Sequence, residues 1–331
     1  MSNIVRAVMA IALVSFATAV SAQTSIVYDG VILDRPNVHD GNPAHILWNG
    51  THYIWWGSKG TSGDDIYMSK KVGSLGPGGW TSPVKVFGSG QTGWASHHTN
   101  DPSVIGGPFS FGGKSYALAM YYTADRNCGG CNNAIGVAYS KDGSIWSSVT
   151  SPVVVPAVNP TTTYGAGMSG AAKDPTSGAV LHAYLDSTTT PNILLSSSMD
   201  ARTIAPIPGN ATQLASMGRY GDGQGPDIAY HSASGYWYAA IKCTDQFGQY
   251  DGEVRLLKSS QPGVLTGAWS LLGYIDRTVT GTANNAQPGL GKNLDGSLYV
   301  DGSGWAYVFF ITGEAAPTIT VRAVSQARFR P

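Results

Sequence analysis

A turn glycine followed by a short aromatic or aliphatic strand returns five times along the chain, and this repeat limits the available folds more than any other feature. The hairpins are Asn49-Gly50 before His52-Tyr53-Ile54-Trp55-Trp56, Gly112-Gly113 before Tyr116-Ala117-Leu118, Ser177-Gly178 before Val180-Leu181, Ser234-Gly235 before Tyr236-Trp237-Tyr238, and Ser303-Gly304 before Trp305-Ala306-Tyr307-Val308. Their glycines stand at 50, 113, 178, 235 and 304, at spacings of 63, 65, 57 and 69 residues. Each hairpin is followed by a third strand that often closes on serine, as in Ile66-Tyr67-Met68-Ser69 and Val254-Arg255-Leu256-Leu257-Lys258-Ser259. Helical spacing of apolar residues is almost absent, so the chain reads as all-β. Self-similarity at a near-constant period marks a repeated supersecondary unit. The expectation is a five-bladed β-propeller, whose radial sheets leave only short, protected edges. A two-domain β-sandwich would leave the repeat unexplained.

In four units a polar or small residue and a proline open the innermost strand: Asn42-Pro43, Asp101-Pro102, Gly225-Pro226 and Gln287-Pro288. The missing proline N–H costs nothing at a strand's first position. The third unit departs from this pattern with Gly167-Met168-Ser169-Gly170.

Residues 1–22 combine a short basic start ending at Arg6, an apolar run from Ala7 to Val20 and small residues at Val20-Ser21-Ala22, the pattern of a signal peptide. The apolar run is shorter than the roughly 20 residues of a membrane-spanning helix. The expected product is a single propeller domain over 23–331, secreted or periplasmic, monomeric and free of the membrane after cleavage. The chain carries 20 Lys+Arg against 20 Asp+Glu among 331 residues and has no basic run, which excludes a nucleic-acid partner. Its nine Trp and 17 Tyr exclude disorder. In Asn127-Cys128-Gly129-Gly130-Cys131-Asn132 the two cysteines fit a loop-stapling disulfide, with free thiols or metal work as alternatives; Cys243 is left over.

Two further stretches carry a resemblance. Val38-His39-Asp40 resembles the Val-His-Asp-Pro opening of secreted arabinanases. Ile135-Gly136-Val137-Ala138-Tyr139-Ser140, with Asp142-Gly143 and Trp146 behind it, resembles a strand common in five-bladed propeller glycoside hydrolases, the superfamily of arabinanases, β-xylosidases, invertases and levansucrases. The resemblance implies a hydrolase of polysaccharides containing arabinose, xylose or galactose. It allows a calcium ion on the propeller axis; no other cofactor and no further metal are expected. In family 43 the first blade supplies an Asp base, the third an Asp that tunes the acid, and the fourth a Glu acid in a Glu-Gly-Pro motif. Here Asp40 matches the base only with two residues inserted before the proline, and otherwise Asn42 takes that place. The third blade offers Met168 or Ser169, and the fourth reads Gln224-Gly225-Pro226, with an amide in place of the acid.

Glycoside hydrolysis needs one protonated and one ionised carboxyl across the scissile bond. Strand starts and the loops between second and third strands of each blade reach the same end of the axis. Asp40, Asp101, Asp222 and Asp227 lie at the former; Asp64, Asp65 and the chain's two glutamates, Glu253 and Glu314, lie at the latter. The expected assignment is Asp40 as base and Asp227 or Glu253 as acid. Asp101 then binds sugar or tunes the acid, and Gln224 is a hydrogen-bonding relic. Trp94, His97 and His98, just before Asp101, suit a sugar face and its hydroxyls. The competing expectations are a glycan-binding propeller that has lost its acid and a partner-binding envelope protein that uses the rim.

Overall fold

The computed structural model describes residues 25–35, 38–60, 63–88, 93–125, 131–158, 163–207, 211–314 and 322–331. Strands dominate and gather into three four-stranded sheets and one eight-stranded sheet. The eight-stranded sheet is two four-stranded antiparallel units joined by a short parallel pairing of Gly291–Asn293 with His45–Leu47. The described strands therefore make up five four-stranded blades. Their innermost strands are Asp40–Trp48, His98–Phe111, Ala166–Lys173, Gln224–His231 and Asn284–Asn293. Each packs on the next and the fifth returns to the first, which closes the ring. The expected turn glycines, Gly50, Gly113, Gly178, Gly235 and Gly304, all adopt φ between 73° and 77°, the left-handed region that glycine tolerates best.

Five apolar clusters hold the ring, each between two adjacent blades. Residues on one strand alternate between two of them, as the two-residue period of a strand requires. Trp55 packs with Val104 and Leu118 of the second blade, whereas its neighbour Trp56 packs with Tyr307 and Phe309 of the fifth. Both faces of most strands are thus buried, which explains continuous apolar runs in place of alternation. Each fully buried side chain of this kind contributes about 1.5–3 kcal/mol.

The fifth blade contains a strand that local pattern did not reveal: its outer strand is Ile26–Leu33, from the far end of the chain, paired with Ala323–Phe329. This pairing ties the two ends of the ring together. The four prolines differ from expectation as well. They lie inside the inner strands, beside register shifts at Gly41/Ala44, Asn100/Ser103, Gln224/Asp227 and Ala286/Gly289. A bulge removes the ladder bond that proline cannot make, so an interior proline is tolerated there. The third blade keeps the bulge, between Gly167 and Gly170, without the proline.

One end of the axis is closed. Leu294, in the turn after the fifth inner strand, accepts from the Gly106 amide at 2.7 Å, and Asp295 accepts from Lys173 at 3.3 Å. Inside the ring Lys292 Nζ donates to Asp227 Oδ1 at 2.5 Å and to the Ala171 carbonyl at 2.8 Å. Toward the bulged starts of the inner strands lie an axial cavity and a wider cleft. Cys131 is disulfide-bonded and Cys243 is a buried free thiol; Cys128 and the signal-peptide segment lie outside the described residues. No helix among the described residues is long and apolar enough to cross a membrane.

Candidate functional site

The five bulges place one residue per blade around the axis in the same left-handed conformation: Asn42 (φ 40°), Asp101 (52°), Met168 (51°), Gly225 (54°) and Gln287 (53°). Four of these are not glycine, and backbone strain of this kind concentrates where a side chain must be aimed. Asn42, Asp101, Met168 and Gly225 line an axial cavity of about 20 Å³, the size of a single water. Beside it opens a cleft of about 690 Å³ between the third and fourth blades. Met168 borders both spaces, and Tyr164, on the cleft wall, reaches back to Asp101.

Asp101 is the best-positioned carboxylate. It is 4 % exposed. Tyr164 Oη donates to its Oδ2 at 2.7 Å and Asn42 Nδ2 donates to its Oδ1. Burial and the Asp101 carboxylate push the Tyr164 phenol well above its ordinary value, so this group acts as a donor. The Asn100 side chain links Asp101 to a second carboxylate: Oδ1 accepts from the Asp101 amide at 2.8 Å and Nδ2 donates to Asp64 Oδ2 at 3.0 Å. Only glycine fits opposite this strut, because a Cβ on Gly57 would lie 1.3 Å from Asn100 Oδ1. Asp64, half-buried, opens the third strand of the first blade, and His98 Nδ1 stands 3.4 Å from it. Burial raises the Asp64 pKa, His98 opposes the rise, and Asp101 and Asp65 add to it. The site thus holds two neighbouring carboxyls, one of them inclined to keep its proton.

The other expected site residues take different places. Asp40 is fully buried, and its Oδ1 accepts from Ser58 Oγ at 2.5 Å, Trp56 Nε1 at 2.9 Å and Arg35 Nε at 3.3 Å. Burial raises its pKa against these donors, the wrong direction for a base. Asn42, two residues on, holds the ring position equivalent to Asp101. Asp227 borders the axial cavity, but Oδ1 is bound by Lys292 and Oδ2 accepts from the Leu290 amide at 2.7 Å. Glu253 is fully buried between two cations, with Arg219 at 2.5 Å from Oε2 and Arg255 at 2.6 Å from Oε1.

Gln224 does line the cleft and accepts from Tyr250 Oη at 2.7 Å. Trp94 stacks on Tyr122 with ring centroids 5.9 Å apart and joins the core of the first two blades. His97 lies 3.4 Å from Asp125, and its side chain is 39 % exposed. The axis does not fit calcium, which takes six to eight oxygen ligands. The Lys292 ammonium already sits among the Asp227 carboxylate and the Ala171 and Ile228 carbonyl oxygens, the densest oxygen cluster within the ring that these contacts describe. Among the described residues no three His, Cys, Asp or Glu side chains cluster as metal ligands.

No protein-family model and no curated protein sequence matches this chain. Solved structures do. The α-L-arabinofuranosidase PaAbf62A from Podospora anserina, in complex with cellotriose, is similar over 93 % of this chain and 98 % of its own, at 12 % identity and TM-score 0.63. Zg3597, a family 117 glycoside hydrolase from the marine bacterium Zobellia galactanivorans, is similar over 93 % and 90 %, at 12 % identity and TM-score 0.63. An exo-1,5-α-L-arabinanase from a bovine ruminal metagenomic library is similar over 87 % and 93 %, at 18 % identity and TM-score 0.52. What is shared at these identities is the fold, and the propeller expected from the repeat is the one these hydrolases have.

Proposed function

We propose that this chain is a secreted or periplasmic, monomeric glycoside hydrolase that acts at the bulged end of the propeller on polysaccharides containing arabinose, xylose or galactose. The observation that carries this reading is the pair of Asp101, on the wall of the axial cavity, and Asp64, joined to it through the Asn100 side chain. In this reading Asp64 is the general acid, since burial and the neighbouring carboxylates favour its protonated form. Asp101, which only accepts hydrogen bonds here, is the ionised partner that activates water or attacks the anomeric carbon. Tyr164 and Asn42 fix its orientation. A second reading, a glycan-binding propeller without turnover, is favoured by the amide of Gln224 and by a cleft wall that holds no carboxylate among the described residues.

The test is release of reducing sugar from aryl glycosides and from plant and microbial polysaccharides. Asp64→Asn is expected to lower turnover by about 10²–10⁴-fold. The loss is expected to be smaller on aryl glycosides whose leaving group needs no protonation. Equal loss on both substrate types would remove Asp64 from the acid role. Binding without turnover by the parent would select the second reading.

The acid also predicts a pH effect. His98 opposes the rise in the Asp64 pKa, so His98→Gln is expected to raise it further. A general acid works while protonated, so the alkaline limb of kcat/KM is expected to move to higher pH in this variant. A limb that stays or moves down would argue against Asp64.

A further inference from the structure

Among the described residues, the cleft between the third and fourth blades has one charged side chain on its wall, Lys242, with hydroxyl, amide and aromatic groups that include Thr190, Asn192, Gln224 and Tyr250. Lys242 stands directly across the strand pair from Gln224. Its ammonium donates to Asp251 Oδ1 at 2.9 Å, while Asp251 Oδ2 accepts from Arg322 Nη2 at 3.1 Å. Two cations thus share one carboxylate. Arg322 is 3 % exposed, and its Nε has no hydrogen-bond partner among the described residues.

The Tyr250 ring faces the Lys242 ammonium at 5.1 Å, but no further carboxylate among the described residues balances the excess. His39, beside Arg322 and Asp251, is held down to about 4 by burial and by Arg322, and so adds no charge at neutral pH. Asp222, next to the cleft residue Gly221, is turned to the amides of Thr244 at 2.9 Å and Tyr220 at 3.4 Å. Glu253 is committed to Arg219 and Arg255. A buried cation without a full counter-charge is costly, and a ligand anion relieves that cost.

We propose that this cleft binds an anionic sugar residue, its carboxylate or sulfate group seated against Lys242. The inference rests on the reading of the bulged end as a glycan site and adds the substrate's charge. Uronates and sulfated sugars share the chemistry, and the experiment separates them.

Binding to the intact protein is measured by calorimetry with two ligand pairs: uronic acid oligosaccharides and their carboxyl-reduced forms, and sulfated galactan oligosaccharides and their desulfated forms. The charged member of at least one pair is expected to bind about tenfold more tightly than its neutral counterpart, the scale of one hydrogen bond to a charged group. That margin is expected to narrow with salt. Lys242→Gln is expected to erase the difference and Lys242→Arg to keep it. Equal affinity within both pairs, or no binding by either charged ligand, would overturn the proposal, and this comparison needs no variant to fold. A charge preference without turnover removes the hydrolase reading and leaves this site; turnover without a charge preference does the reverse.

Discussion

Lys292→Met is expected to destabilise the protein by about 3–5 kcal/mol, because it leaves the Asp227 carboxylate buried inside the ring without its cation. Lys292 reaches from the fifth blade to Asp227 and the Ala171 and Ile228 carbonyls, so one ammonium stitches the inner strands of three blades. Burial raises the Asp227 pKa, and Lys292 is the largest influence opposing it. Without Lys292 that rise is larger. A folded-state pKa above the unfolded value gives stability that is present at low pH and lost as pH rises through the folded pKa. The deficit of Lys292→Met relative to the parent is therefore expected to shrink as pH falls. Chemical denaturation across pH checks both points. Asp227→Asn in the same chain removes the second charge and is expected to recover part of the loss, whereas strict additivity would show that the two groups do not interact. A full loss that is independent of pH would mean that packing of the lysine stem, and not the ion pair, matters at this position.

This ion pair also shows what the sequence could and could not disclose. The five hairpins were legible because each turn needs a residue that tolerates positive φ, and glycine at 50, 113, 178, 235 and 304 supplies it. The outer strand of the fifth blade was not, because Ile26–Leu33 looks like any strand and its partner, Ala323–Phe329, lies at the other end of the chain. Asp227 and Lys292 belong to different blades, so no local pattern links them. Asn100 presents the same difficulty: its neighbour in sequence is Asp101, but its function depends on Asp64 in another blade. The Glu253 contact is local. Arg255 lies two residues on, on the same face of the strand, and the two-residue period alone predicts the contact that takes up its Oε1. The Val-His-Asp motif marks Asp40, whereas the repeat marks Asn42, the residue before the proline, which shares its left-handed conformation with Asp101.

Asp101→Asn carries the second large effect, an expected loss of about 10²–10⁴-fold in turnover with the fold retained. The amide has nearly the shape of the carboxylate, but it replaces one acceptor oxygen by a donor. The new amide nitrogen can donate to Tyr164 Oη, which accepts as well as donates, while its oxygen keeps the Asn42 Nδ2 bond. The variant therefore removes the base and reverses one of the two bonds that orient it. Tyr164→Phe separates these contributions, because it deletes one orienting bond and leaves the carboxylate. It is expected to lower kcat less than Asp101→Asn. If the missing group is the base or nucleophile, a small external anion such as azide or formate is expected to restore part of the turnover of Asp101→Asn and to leave Tyr164→Phe unchanged. Turnover of Asp101→Asn within tenfold of the parent would dismiss Asp101 from the chemistry. The strained φ of 52° at Asp101 would then be a property of the five-fold bulge alone, shared with Met168 and Gln287, which carry no charge.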